Sequence, residues 1–111
     1  MILYNSTRKT TLSRDLKKAL GFFDSTLGLL NSSNPRSMLF ETRFGIHTFF
    51  MKEAIDVLVI DKHFIVHKLR PSLKPFRAYF WNPMYTYVIE LPSGTINKSK
   101  TSKGDVLRLI N

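Results

Sequence analysis

The run Ile55-Asp56-Val57-Leu58-Val59-Ile60 constrains this chain more than any other feature, because it is apolar on both faces of the strand it would form. Side chains alternate across a strand, so Val57 and Val59 point one way while Leu58 and Ile60 point the other. Only a central strand with a layer on each side hides both sets from water. A second β-branched run, Phe64 to Arg70, follows Lys62-His63, and the two runs read as a tight hairpin.

Further short strands are expected at Ile2 to Tyr4, Ser37 to Thr42, His47 to Met51, Tyr85 to Leu91 and Asp105 to Ile110. Asn5 to Lys9, Asn31 to Pro35 and Pro92-Ser93-Gly94 read as turns or loops. One amphipathic helix is expected near the N-terminus. Leu12, Leu16, Ala19 and Leu20 recur at helical spacing, with Thr11 as N-cap and Gly21 as stop. Phe22, Phe23, Leu27, Leu29 and Leu30 then supply apolar anchors. Short strands behind one helix predict a mainly β domain, a sandwich or partly closed barrel with a helical N-terminal cover.

With 111 residues the chain has the size of one domain, 1–111, and its 14 aromatic residues can build a core. The absence of cysteine excludes disulfides, thiolate metal sites and cysteine nucleophiles. Neither a signal-peptide core in Met1 to Thr10 nor an apolar run long enough to span a membrane is present, so a cytoplasmic protein is expected. The net charge of +9 is unevenly spread: residues 62–103 carry eight basic and one acidic group, whereas residues 37–61 are net acidic. Such a surface attracts anionic partners through long-range fields and counterion release, although solubility alone also explains it.

Several motifs fall in a characteristic order. They are Ile46-His47-Thr48-Phe49-Phe50-Met51-Lys52, Ile55-Asp56-Val57 with Asp61, Leu73-Lys74-Pro75-Phe76-Arg77, Glu90-Leu91-Pro92-Ser93-Gly94-Thr95 and Gly104-Asp105-Val106. Together they resemble the signature of the domain of unknown function 192 family, most strongly over residues 38–111. Ser37, Glu53-Ala54 and the glycine-free turn Lys62-His63 depart from the usual pattern. The resemblance implies a jelly-roll-like β fold in a bacterial or archaeal protein, which suits the five to seven short strands read from the pattern, and it implies no activity.

The candidate groove combines Lys52, Glu53, Asp56 and Glu90 as polar contacts with Trp81 as a wall. Asp56 shares a face with Leu58 and Ile60, so its carboxylate must be paired, hydrogen-bonded or protonated. Lys52, four residues earlier, is one partner; backbone N–H groups at the sheet rim are the other, and Asp105 after Gly104 reads the same way. These residues suit a non-enzymatic module for a small ligand or protein partner. A carboxylate-based hydrolase or isomerase using Asp56 and Glu90 is an alternative.

A second alternative is single-stranded nucleic acid or another polyanion along Lys68, Arg70, Lys74, Arg77 and Tyr79, beside Trp81. His47, His63 and His67 lack the spacing of a metal site, so no metal is expected. No phosphate-cradling loop, dinucleotide fingerprint or serine nucleophile elbow occurs, and no cofactor is expected.

Overall fold

The computed structural model describes residues 1–18, 37–41, 45–47, 54–74, 78–80 and 87–111. In chain order the strands are β1 (Ile2–Asn5), β2 (Thr10–Ser13), β3 (Lys17–Lys18), β4 (Met38–Glu41) and β5 (Gly45–His47). They continue with β6 (Ile55–Ile60), β7 (Val66–Leu73), β8 (Ala78–Phe80) and β9 (Tyr87–Pro92). A short helix, α1 (Thr95–Ser99), precedes the last strand, β10 (Leu107–Ile110).

All six residues of β6 are buried, and the strand is paired antiparallel to β9 on one edge and β7 on the other. It belongs to a five-stranded sheet in the order β3-β4-β9-β6-β7. A three-stranded sheet, β10-β1-β2, and a two-stranded ladder, β5-β8, complete the described architecture. Leu58 and Ile60 join Ile89, Leu91 and Leu39 of the large sheet in one core cluster with Leu3, Leu12 and Leu107 of the smaller sheet. Ile96 of α1 closes that core. Val57, Val59 and Val88 lie on the opposite face of the large sheet and are equally buried, as two-sided apolarity requires. Among the described residues no sheet closes on itself as a barrel.

The N-terminal helix is where the expectation fails. Thr10–Ser13 is a strand that pairs with β1, and Lys17–Lys18 lies parallel to β4. Leu12 and Leu16 are both core residues, so the stripe is real, but two strands and the bend between them deliver it. Spacing of four does not separate a helix from a strand–bend–strand, and Thr10-Thr11 prefers the extended form. Ala19, Leu20 and the anchors after them lie outside the described residues.

The hairpin is borne out, with a detail that replaces the missing glycine. Asp61 Oδ1 accepts hydrogen bonds from the His63 and Ile65 amides at 2.8 and 3.1 Å. Phe64 takes the left-handed conformation at φ 61° and packs its ring against Tyr87 at 5.6 Å. β7 is an edge strand, and it carries the features that discourage pairing with another chain: exposed Lys68 and Arg70, Pro71, and two register irregularities.

Candidate functional site

Two buried aspartates organise one end of the molecule. Asp56 has no exposed surface and sits opposite the irregular Pro71-Ser72 step of β7, where Ser72 adopts φ 50°. Its Oδ1 accepts the Ser72 N–H and its Oδ2 the Ile96 N–H, both at 2.8 Å. One carboxylate therefore ties the edge strand to the first turn of α1, supplying the N–H partner that Gly94, at the N-cap, has no side chain to offer. Backbone N–H groups are thus partners of Asp56, and Lys52 lies outside the described residues.

Asp105 is 3% exposed, and its Oδ2 accepts from Asn5 Nδ2 at 3.0 Å, Arg8 Nε at 3.0 Å and the Ser102 N–H at 2.9 Å. Burial pushes its pKa up, but the hydrogen bonds from Asn5, Arg8 and Ser102 and the Arg8 charge outweigh that, and the net shift is downward. Asn5 is fully buried at the end of β1. Its Nδ2 also reaches Thr101 Oγ1 at 3.1 Å, and its Oδ1 accepts the Arg8 N–H at 3.0 Å. Ser99 and Thr101 share a hydroxyl hydrogen bond of 2.7 Å, and Thr10 donates to the Ser99 carbonyl. This network fixes the β1–β2 turn against the C-terminal end of α1.

Arg8, Thr101 and Ser102 of this network also line a cleft of about 560 Å³. Apolar Pro71 and Ile96 line it together with Arg8, Asn97, Lys100, Thr101 and Ser102, which are polar or charged. Among the described residues no carboxylate lines it. Arg8 is 44% exposed with Nε committed to Asp105, so its Nη groups have no carboxylate partner among the described residues. Lys100 is exposed at the C-cap of α1 in the left-handed conformation, φ 57°.

Glu90 stands apart. It is directly paired with Val57 and Met38, whereas Asp56 is paired with Leu91, so the two carboxylates project from opposite faces of the sheet. They do not line one groove and cannot act together on one bond. Glu90 is 4% exposed, and burial pushes its carboxyl up to about 8. Among the described residues its Oε2 has no hydrogen-bond partner.

Of the other expected site residues, Lys52, Glu53, Trp81 and Arg77 lie outside the described residues. Tyr79 is opposite Ile46 in the β5–β8 ladder, and its side chain is not described. Lys68 and Arg70 are exposed on β7, two residues apart and hence on one face, and Lys74 is exposed just beyond that strand. His67 Nε2 lies 2.7 Å from Asp61 Oδ2 in a structural pair, and no cluster of metal-binding side chains occurs among the described residues. Arg8, Asn97, Lys100 and Thr101 escaped the sequence reading. The local signals were the polar turn Asn5 to Lys9 for Arg8 and the hydroxyl- and lysine-rich run ending at Gly104-Asp105 for the other three.

Residues 4–109 match the family DUF192, described as Uncharacterized ACR. The chain belongs to that family. The DUF192 protein is 31% identical over 113 residues to the UPF0127 protein of Pyrococcus horikoshii, covering 96% of this chain and 97% of the relative. It is 32% identical to the UPF0127 protein of Pyrococcus furiosus, with 95% of each chain covered. A crystal structure of a protein of unknown function from Novosphingobium aromaticivorans superimposes with a TM-score of 0.81 at 13% identity, covering 97% of this chain and 83% of that one. That similarity shows a shared fold. No helix among the described residues is long and apolar enough to cross a membrane.

Proposed function

We propose that this DUF192 protein is a non-enzymatic binding module that takes a small ligand in the cleft beside α1. The supporting observation is an open cleft lined by both apolar and polar residues, next to elements tied together by two buried aspartates. Ligand sites are typically such concavities, mostly preformed, with a few fixed polar groups. Asp56 contributes as a positioning residue, since Pro71 and Ile96 in the cleft wall adjoin the two amides it holds or belong to them. Glu90, on the other face of the sheet, is not a contact in this reading.

A thermal-shift screen of metabolite-sized compounds against the wild type and Asn97→Trp tests the reading. Asn97 is exposed in the cleft lining, so an indole there obstructs any occupant. Ligands that raise the wild-type melting temperature and leave Asn97→Trp unmoved support the module. Equal shifts in both proteins for every hit would overturn it.

Polyanion binding along β7 is the second reading, favoured by the exposed, same-face pair Lys68 and Arg70. It predicts affinity that falls steeply with salt, with a slope reduced by about one unit for each phosphate contact removed. The edge position of β7 gives the same two charges a protective role instead.

A further inference from the structure

We infer that the ligand of the cleft carries a phosphate group, bound between Arg8 and Lys100; this rests on the cleft being the binding site proposed above. Among the described residues, two positively charged side chains line the cleft and no negatively charged one does. Asp105 accepts from the Arg8 Nε at 3.0 Å, which restrains the guanidinium and leaves both Nη groups without a carboxylate partner among the described residues. A planar fork held this way matches two oxygens of one phosphate, a geometry that lysine cannot supply.

The second anchor is held by the backbone. Lys100 caps α1 with its own N–H donating to the Asn97 carbonyl at 3.2 Å, so the start of its side chain is fixed relative to the cleft. Ser102 adds a hydroxyl whose one described contact is a long 3.5 Å approach to the Lys100 carbonyl. A tetrahedral anion with several acceptor oxygens fits three such donors better than a planar carboxylate does. Thr101 is not counted among them, because its hydroxyl is already shared with Asn5 and Ser99.

Calorimetric titration with inorganic phosphate and with pyrophosphate tests the inference on the intact protein. Saturable binding with a stoichiometry of one is expected. Lys100→Asn should weaken it by at least about tenfold while leaving the melting temperature unchanged or higher, since asparagine tolerates the left-handed cap better than lysine. Arg8→Lys should weaken it too, because charge is retained but the two-pronged contact is lost. Binding of either probe that is indifferent to both substitutions would overturn the assignment. If neither phosphate probe binds but another compound shifts the wild type and not Asn97→Trp, the phosphate inference falls and the binding module stands. If no compound distinguishes wild type from Asn97→Trp, both fall.

Discussion

Replacing Glu90 by glutamine should make the protein more resistant to alkaline conditions. The native carboxyl titrates near 8, against an ordinary value of 4.5, because burial disfavours its charged form. Below pH 4.5 the group is protonated in both folded and unfolded chains and exerts no bias. As pH rises from there towards 8, the unfolded chain releases the proton and the folded chain does not, so stability is progressively lost. Each pH unit in that window costs about 1.4 kcal/mol, which gives a loss of roughly 3–5 kcal/mol by about pH 8. Glutamine cannot ionise, so the variant lacks this loss. It carries instead a constant offset of about 1–3 kcal/mol if its buried amide finds no partner. Urea unfolding of both proteins from about pH 4.5 to 8.5 separates the two effects, since only the first changes with pH. The difference between variant and wild type should move in the variant's favour by several kcal/mol. A difference that is flat to within about 0.5 kcal/mol would show that Glu90 ionises as a solvated carboxylate does, and would refute its burial against Val57 and Met38.

Three other substitutions probe the frame. Ile60→Ala should cost about 2–5 kcal/mol in denaturant unfolding, because Ile60 has no exposed surface in a central strand; a loss of a few tenths would contradict the two-sided burial of β6. Asp56→Asn should lower stability by roughly 1–3 kcal/mol, since its amide nitrogen would face an N–H group in place of an acceptor, and hydrogen exchange at Ser72 and Ile96 should rise. Asp105→Asn should flatten the acid limb of the stability profile: its lowered native pKa contributes stability present above the unfolded value and lost as pH falls through the folded one.

The central strand was legible in sequence because two-sided apolarity has only one structural solution. The hairpin was legible because two β-branched runs flank a two-residue polar gap. The N-terminal region was not, since Leu12 and Leu16 satisfy a helical spacing while the pairing of Thr10–Ser13 with β1 decides the conformation. α1 was also hidden. Its five residues are too few for periodicity to show, and its cap comes from Asp56, 40 residues earlier in the chain. Asp56 and Glu90 were grouped wrongly for a related reason. Polar residues near one another in motif order suggested a shared site, but alternation along β6 and β9 sends Asp56 and Glu90 to opposite faces. That register cannot be read from either strand alone. The cleft itself joins the turn after β1 to the end of α1, at opposite ends of the sequence, through Asn5, Asp105 and Thr101.

Amide chemical-shift mapping tests the binding module most directly. Uniformly ¹⁵N-labelled protein is titrated with whichever compound gives the largest thermal shift, pyrophosphate included. The amides of Arg8, Asn97, Lys100, Thr101 and Ser102 should move together and saturate, while those of β7 from Lys68 to Arg70 stay in place. Shifts confined to β7, or scattered over the basic surface without saturation, would contradict a ligand site in the cleft.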